Sequence, residues 1–366
     1  MQHDSSPTRP TEILALLAVH ADAAELYARQ LGESWVPGYL ASRSLDACLG
    51  PGSPWTVGYA PHSWTWLTDQ LRAFGYSDTV LERSGLALRT RSGSIVDRFR
   101  DRLTLGIRDV DGDLVGFTCR AAPNRDPSCP KYLNSPTTDV YRKSEALFGL
   151  GEAAVHDASD RVPVLVEGPL DAMAVGSADL GRYVPLAVCG TAFSTVHANL
   201  VTELSTTGEV VVGLDDDGAG HRAAAHALEV LRSVGIEPMA LDLGVAADDP
   251  ASLLQRLGPA ALASGLSSPK KLLADKVVED VIRDAGDRLR WVEGQVLTAR
   301  AVMPIVARCS PVQAARLANK VARLCHLAPE TVANELHAEL ERSCASEQRS
   351  GCNSRTSGIA VHTSSR

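Results

Sequence analysis

The feature that most constrains the fold is a regular alternation of apolar runs and helical patterns that starts at Arg161. Such alternation is typical of strand–helix units, which build a doubly wound, mainly parallel sheet. Four runs are predicted as strands: VPVLVEG (162–168), YVPLAVCG (183–190), EVVVGLDDDG (209–218) and EPMALDLG (237–244). Three segments are predicted as helices: PLDAMAVGSA (169–178), residues 192–205 and GHRAAAHALEVLRSVG (220–235). We therefore expect residues 161–265 to form an α/β domain.

The segment before this domain has a mixed pattern. Residues 1–11 are polar and rich in Ser and Pro, which predicts disorder. Residues 12–31 place apolar side chains at helical spacing, which predicts an amphipathic helix. Apolar and polar residues alternate over 102–120 around Asp111-Gly112, which predicts a hairpin. We expect residues 12–160 to form an α+β lobe.

The segment after the α/β domain has a helical pattern. Residues 266–342 are predicted to form a helical bundle, with breaks at Pro304, Pro311 and Pro329. Residues 343–366 are rich in Ser and contain Arg, and we expect them to be disordered.

Carboxylates end two of the predicted strands. Glu167 ends the first strand and precedes Gly168, and Asp215-Asp216-Asp217 ends the third strand and precedes Gly218. In open α/β sheets, ligands bind at the carboxyl ends of the strands. Because side chains alternate along a strand, we expect Asp215 and Asp217 to point to one side and face Glu167.

Such a cluster of acids favours a bound cation. Two carboxylates ~5 Å apart repel each other by roughly 3 kcal/mol at an effective dielectric constant of about 20. Oxygen-only ligands with open positions suit Mg²⁺ or Mn²⁺, and two such ions can promote phosphoryl transfer. We interpret Glu167, Asp215 and Asp217 as metal-binding catalytic residues.

Alternatives remain open for each acidic segment. An Asp run before Gly can be only a solvated turn. Asp171, four residues after Glu167, could support the metal or simply favour a helix N-terminus. Asp249, after the fourth strand, could be a further metal ligand or part of a solvated loop.

Composition bounds the class of protein. The formal net charge of −8 argues against a protein that coats nucleic acid by bulk attraction. Residues 89–143 are nevertheless basic and residues 162–259 acidic, as expected of a basic groove facing an acidic metal site. None of the eight cysteines forms a CxxC pair, so we expect no zinc. Without a signal segment or an apolar run of ~20 residues, we expect a cytoplasmic protein that does not enter a membrane.

Two segments resemble the signature of the Toprim domain: VLVEGPLDAMA (164–174) and VVVGLDDDGAGHRAA (210–224). Toprim domains occur in primases, topoisomerases, some nucleases and recombination mediators. The flanking sequence is similar to the catalytic core of DnaG-type bacterial DNA primases, from about Leu26 to Leu340. The segments that carry this resemblance are GYAPHSWTWL (58–67), SGL (84–86), VDRFRDRLTLGIRDVDGDLVGFTCR (96–120), PKYLNSPTTDVYRKSEALFGL (130–150) and GTA (190–192).

The resemblance implies roles for particular residues. Glu167, Asp215, Asp217 and Asp249 match the family's metal-binding acids, whereas Ala247 stands where the family usually has an acid. The residues that match the family's basic groove, which holds template, primer or nucleotide phosphates, are Arg98, Arg100, Arg102, Lys131, Tyr132, Asn134 and Lys143. Without the resemblance, the arginines of RFRDR would be interpreted as the solvated face of a hairpin.

The resemblance also implies partners. No zinc-ligand pattern precedes Glu12 and no helicase-binding domain is recognised, so we expect a separate zinc-module or helicase protein at the replication fork. Leu105-Gly106 replaces a Phe-Pro of the family. The Ala- and Arg-rich, Lys-poor composition fits a GC-rich genome, and we hypothesise a phage or other mobile-element origin.

We therefore predict Mg²⁺-dependent synthesis of RNA primers from NTPs on single-stranded DNA. One alternative is a Toprim metal-dependent nuclease. Another is a non-catalytic nucleic-acid-binding protein derived from a primase.

Overall fold

The computed structural model describes residues 10–155, 159–178, 181–190, 192–243, 249–268 and 270–353. Residues 1–9 and 354–366, which include most of both predicted disordered tails, lie outside the described residues, as do Thr191, Ala247 and Asp248. The chain divides into two compact units, Met1–Leu273 and Ala274–Arg366. None of the described helices combines the length and the apolar character that crossing a bilayer requires.

The first unit begins with an α+β lobe. Its helices are α1 (Pro10–Arg29), α2 (Val36–Ser42), α3 (Trp66–Ala73) and α4 (Asp78–Arg83). Its strands are β1 (Val57–Ala60), β2 (Ala87–Arg89), β3 (Ile95–Asp97), β4 (Arg102–Arg108), β5 (Leu114–Ala121) and β6 (Tyr132–Asn134). Short 3₁₀ helices cover Asp46–Leu49 and Gly151–Val155. The antiparallel sheet has the order β1-β4-β5-β6, and β2 pairs separately with β3.

The hairpin predicted over residues 102–120 is confirmed, since β4 and β5 pair antiparallel and Gly112 adopts a φ of 85° in the turn. However, the alternation does not correspond to one buried and one solvent-exposed face of the sheet. Leu105 packs in the core shared with the α/β domain, while Phe117 packs on the opposite side with Tyr27 of α1. The sheet is therefore buried on both faces.

The α/β domain follows as predicted. Its strands are β7 (Val162–Val166), β8 (Tyr183–Ala187), β9 (Val211–Gly213) and β10 (Met239–Ala240). Its helices are α5 (Pro169–Ala178), α6 (Thr195–Leu204), α7 (Gly218–Ser233), α8 (Pro250–Leu257) and α9 (Pro259–Ser267). The sheet is parallel, with the order β10-β9-β7-β8. Helix α5 packs against α8 and α9, whereas α6 packs against α7.

The lobe and the α/β domain are continuous. Phe148 and Ala187 exchange two backbone hydrogen bonds of 2.9 Å each, so the chain leaving the lobe extends the sheet beyond β8. The Phe148 ring stacks on Trp55, with ring centroids 5.0 Å apart. Leu105 of β4 and Val164 of β7 belong to one hydrophobic core. The predicted boundary between residues 160 and 161 therefore falls inside one compact unit.

The second unit is helical and contains most of α10 (Leu273–Ala285), together with α11 (Val292–Ala307), α12 (Pro311–Leu324) and α13 (Pro329–Asn353). A 3₁₀ helix covers Gly286–Arg290. This unit starts later than the predicted residue 266, because α9 packs against α5 of the first unit.

Two further predictions for this unit need correction. Pro304 does not break the chain but lies within α11, near its end, where the missing N–H removes only one helical hydrogen bond. The helix α13 continues to Asn353, although disorder was predicted from residue 343. Pairs one turn apart support the preceding stretch of α13, as between Arg342 and Glu339 at 2.6 Å.

We predict that Gly149→Ala destabilises the first unit strongly. Gly149 has a φ of 96°, and a β-carbon there would lie 2.1 Å from the Pro185 carbonyl oxygen. Gly93, with a φ of 87° and no atom within 4 Å of such a β-carbon, provides the control. Urea unfolding of Gly93→Ala should show a cost of about 1 kcal/mol, from backbone strain alone. Gly149→Ala should lower the free energy of unfolding by about 2 kcal/mol more than Gly93→Ala does. Equal losses in the two variants would contradict the close contact between Gly149 and the Pro185 carbonyl oxygen.

Candidate active site

Five carboxylates converge at the carboxyl edge of the parallel sheet. Glu167 directly follows β7, Asp215 and Asp217 follow the adjacent strand β9, and Val166 pairs with Gly213 in register. Asp171 lies in the first turn of α5, and Asp249 immediately precedes α8. Glu167, Asp215 and Asp217 thus follow two neighbouring strands, as the strand pattern predicted, whereas Asp171 and Asp249 come from the starts of helices.

Burial and mutual repulsion raise pKa values in this cluster. Burial, followed by the charges of Glu167, Asp249 and Asp217, raises the pKa of Asp215 to about 7. Burial, followed by the charges of Asp249 and Asp215, also raises the pKa of Asp171 to about 7. Burial, with Asp217 next, raises the pKa of Glu167. The protein thus holds these groups together against their own electrostatic preference.

The donor set fits a hard divalent cation. The ligands on offer are all carboxylate oxygens, which Mg²⁺ and Mn²⁺ prefer. The buried Oδ1 of Asp215 accepts no hydrogen bond from any described residue. A buried acceptor of this kind costs free energy unless something satisfies it, and a cation would do so while relieving the repulsion.

The backbone at two helix starts fixes two of the acids. Asp217 caps α7, and its Oδ1 accepts hydrogen bonds from the N–H groups of Ala219 and Gly220, both at 2.8 Å. These hydrogen bonds lower the pKa of Asp217. Asp217 is therefore ionised at pH values at which Asp171 and Asp215 still hold their protons. Asp249 caps α8 in the same way, by accepting from the Ser252 N–H at 2.6 Å.

Asp171 connects the cluster to α8. Its Oδ1 accepts a hydrogen bond from the Ala251 N–H at 3.2 Å, and its carboxyl group also shares a hydrogen bond with Asp249. The side chain thus does more than favour the start of its own helix, which was one of the two sequence interpretations.

Asp216 is paired with a residue of α7. Its Oδ1 lies 2.9 Å from Nε2 of His221, in the first turns of α7. Gly220 is also required here, which could not be seen from the sequence pattern alone. A β-carbon at position 220 would lie 2.0 Å from the Asp215 carbonyl oxygen, so only glycine lets α7 start this close to the acid.

Lys131 and Tyr132 lie beside the acids. The charge of Lys131 opposes the rise in the pKa of both Glu167 and Asp215. The Tyr132 hydroxyl accepts a hydrogen bond from Arg120 at 2.8 Å, and the Lys131 ammonium lies 5.9 Å from the Tyr132 ring centroid. The structure thus places a cation next to the carboxylate cluster.

Asn134 joins the lobe to the α/β domain and is itself held by Arg98. The Asn134 side-chain N–H donates to the Cys189 carbonyl at 2.8 Å. The Asn134 carbonyl accepts from Nε and Nη2 of Arg98, at 3.2 and 3.0 Å. Burial lowers the pKa of Arg98. Both side chains are therefore partly engaged in holding the structure together.

Arg102 differs from the prediction of an open basic groove. It is only 4% exposed, and its guanidinium donates to the carbonyls of Cys119 and Pro130 and to the Cys129 sulfur. It ties the loop before Lys131 to the hairpin. Arg102 therefore fits neither the groove that the resemblance implies nor the alternative of a solvated hairpin face, because the sheet is buried on both faces.

Arg100 and Lys143 take separate positions. The guanidinium of Arg100 lies over the Trp64 ring. Lys143 lines a cleft of about 630 Å³ together with Phe193 and His226. Of the seven predicted groove residues, Lys131 and Tyr132 thus have the most direct relation to the acids.

Sequence reasoning missed a cluster centred on Asp101. This residue has a φ of 50°, and its Oδ1 accepts hydrogen bonds from Trp35 Nε1 and the Tyr59 hydroxyl, both at 3.0 Å. Arg125 donates to the carbonyls of Arg100 and Asp101, at 2.9 and 3.3 Å. The only sequence signal was an acid between two arginines, which does not reveal partners so distant along the chain.

Comparison with known proteins is consistent across sequence and structure. Residues 26–154 match the family model of the DNA primase catalytic core, N-terminal domain, and residues 164–254 match a Toprim-like model. The DNA primases of Mycolicibacterium smegmatis and Streptomyces coelicolor are each 36% identical, over 80% and 81% of this chain. These alignments cover 46% of each relative, so the chain spans about half the length of the curated relatives it matches.

Solved structures extend the similarity to the whole core. The RNA polymerase domain of Mycobacterium tuberculosis primase DnaG, in complex with a double-stranded DNA oligomer with a 6-nucleotide overhang, superposes with a TM-score of 0.67. It is 31% identical in sequence, and the match covers 86% of this chain and 98% of that one.

We predict that the metal-free protein loses stability as pH rises. In the unfolded chain, Asp171 and Asp215 have the ordinary pKa of 3.8, whereas in the folded chain their pKa is about 7. Between these two pH values both side chains are ionised in the unfolded chain but still protonated in the folded chain. The free energy of unfolding should therefore fall between about pH 4 and about pH 7. Asp171→Asn should reduce this fall by about 2 kcal/mol in chelator-treated protein.

The exposed acid Asp46 provides a control. Urea unfolding of Asp46→Asn at several pH values should reproduce the wild-type pH dependence. An Asp171→Asn variant with the full wild-type fall would contradict the repulsion described above.

We also predict that Arg102→Ala acts on stability rather than on phosphate binding. Loss of the buried guanidinium removes its hydrogen bonds to the carbonyls of Cys119 and Pro130 and leaves a cavity, at a cost of about 2–4 kcal/mol in urea unfolding. Lys131→Ala should be nearly neutral for stability, yet should reduce the salt dependence of single-stranded DNA binding by about one unit of slope. An Arg102→Ala variant that keeps wild-type stability but shows a smaller salt dependence of single-stranded DNA binding would contradict the structural role of Arg102.

Proposed function

The chain belongs to the DNA primase catalytic-core family, and from this premise we propose that it synthesises RNA primers on single-stranded DNA at the replication fork. The observation that carries the proposal is the convergence of Glu167, Asp215 and Asp217 at one sheet edge, beside Lys131. The M. tuberculosis relative, solved with overhang-bearing DNA, supports a nucleic-acid template for this chain too.

The substrates proposed are ribonucleoside triphosphates, and the cofactor is Mg²⁺ or Mn²⁺ rather than zinc. Glu167, Asp215 and Asp217 would hold the ions, with Asp249 and Asp171 supporting them from α8 and α5. Bound ions would neutralise the triphosphate and lower the pKa of the primer 3′-hydroxyl. The 3′-hydroxyl gives its proton to solvent water, and its oxygen forms a bond to the α-phosphorus as the bond between that phosphorus and the leaving pyrophosphate oxygen breaks.

The chain's own residues contribute position and charge. Lys131 stands where it can attract a phosphate group toward the acids. Arg102 holds the loop that carries Lys131, and Arg98 and Asn134 fix the following strand against the α/β domain. Such preorganisation lowers the entropy cost of aligning a hydroxyl with a phosphate.

The two alternative functions have weaker support. A Toprim nuclease would share the acids, but the lobe matches the primase-specific family model over residues 26–154. A non-catalytic derivative would have no need to retain buried carboxylates that repel one another at a cost in stability.

We predict that Asp215→Asn reduces primer synthesis by about 10³-fold or more, because it removes a charge that cations require at the centre of the cluster. The assay uses purified protein, single-stranded DNA, labelled NTPs and Mg²⁺ or Mn²⁺, with short RNA resolved on a gel. Asp216→Asn, one residue away and paired with His221, should stay within a few-fold of wild type.

Synthesis by Asp215→Asn at the wild-type rate would refute the metal assignment. Cleavage of labelled DNA without nucleotides, abolished by the same substitution, would favour the nuclease instead.

A further inference from the structure

A groove runs along the exposed side of α1. It has a volume of about 660 Å³ and lies between that helix, the segment that starts β1 and the turn between β4 and β5. Its lining is mainly apolar and includes four alanines of α1 together with Leu14, Leu17, Trp55 and Leu114. The opposite side of α1 is buried in the lobe, yet Leu14 is 64% exposed. A surface helix normally has a polar outer face, so an apolar one indicates a contact surface.

The strand β1 forms one edge of the antiparallel sheet, because β4 is the only described strand that pairs with it. The Gly106 N–H donates to the Thr56 carbonyl at 2.9 Å, and the pairing register continues from there. In an antiparallel ladder only every second residue bonds to the neighbouring strand. The N–H and C=O groups of Val57, next to Thr56, therefore point away from β4. Among the described residues neither group has a hydrogen-bond partner, and Val57 lines the groove.

The unpaired strand edge determines which form of ligand fits. A helix uses its own N–H and C=O groups internally, whereas an extended chain can offer both to Val57. A strand added in this way is held by main-chain hydrogen bonds, and its alternate side chains enter the neighbouring groove. Alanines of α1, such as Ala18 and Ala21, leave room there for the branched side chains that favour an extended chain. The groove therefore fits an extended apolar segment rather than a helix.

The charged groups at the groove favour a basic residue beside that segment. Arg108 is engaged within the lobe, because it donates to the Gly112 carbonyl at 2.7 Å. The other charged groups of the lining are the carboxylates of Glu25 and Asp113. Glu25 pairs with Arg29 at 3.2 Å, but both side chains are largely exposed, and such pairs contribute little. A lysine or arginine of a bound segment would thus meet acids at the rim of the groove.

We propose that the groove beside β1 docks an extended segment of a partner protein, with branched apolar residues at alternate positions and a basic residue at its end. The segment would add a strand to β1 at Val57 and place its apolar side chains against α1. None of the groove residues belongs to the metal-binding acids or to the basic residues assigned above. The inference goes beyond primer synthesis and does not depend on it.

The test adds a fluorescein-labelled peptide of alternating threonine and valine, with a lysine at each end, to the full chain and measures fluorescence anisotropy. Ala21→Arg places a long charged side chain in the groove and should weaken binding by about tenfold or more. Ala223→Arg, at an exposed alanine within α7, is the matched control and should stay within about two-fold of wild type. Both variants should keep the wild-type midpoint of urea unfolding, because both sites are exposed.

Backbone methylation of the peptide distinguishes strand addition from simple apolar contact. In an extended peptide the N–H groups of the valines point to one edge and those of the threonines to the other. Methylating one set should abolish binding and methylating the other should leave it nearly unchanged, because only one edge can bond to β1. Equal effects of the two methylations would overturn the proposal, and so would binding that Ala21→Arg does not weaken.

Two other results would also overturn the proposal. One is the absence of any binding up to about 1 mM peptide. The other is self-association of the chain in sedimentation that Ala21→Arg abolishes, which would assign the groove to a second copy. The proposed primase function is tested separately, because Ala21→Arg should retain wild-type primer synthesis while it loses the peptide.

Discussion

Repulsion among carboxylates held at one edge of a parallel sheet is the constraint on which the rest of the structure depends. Asp215 and Asp171 each have a pKa near 7, so the fold keeps them close against their preference to ionise apart. Helix starts anchor Asp217 and Asp249, and Gly220 lets α7 approach the backbone of Asp215. These features are readily understood if the edge exists to hold cations and, through them, phosphates.

Parts of this arrangement were predictable because they depend on local pattern. Buried parallel strands are continuous apolar runs, so β7 and β9 were visible, and their ends located Glu167 and Asp215. The burial of Arg102 was not visible, because alternation cannot show that a second core covers the other face of a sheet. The prediction of a helix break at Pro304 was wrong because a helix tolerates the loss of one hydrogen bond near its end.

The arginines of the lobe divide their work. The guanidinium groups of Arg102 and Arg98 donate hydrogen bonds to backbone carbonyls, and these bonds offset the cost of removing the two charges from water. The same bonds fix the segments around Lys131. Arg100 and Lys131 remain nearer the surface. A charge count over residues 89–143 therefore overstates the basic surface that is available, and only three-dimensional partners distinguish the two groups.

The backbone exchange between Phe148 and Ala187 has a consequence for how this protein can be recombined. A hybrid protein joined near residue 160 would cut through a sheet extension and through one hydrophobic core, to which Leu105 and Val164 both belong. The core side chains of the lobe and of the α/β domain would then come from different relatives and would not fit against each other. Joints near Leu273, where the compact units separate, are the natural place for exchanging segments between relatives.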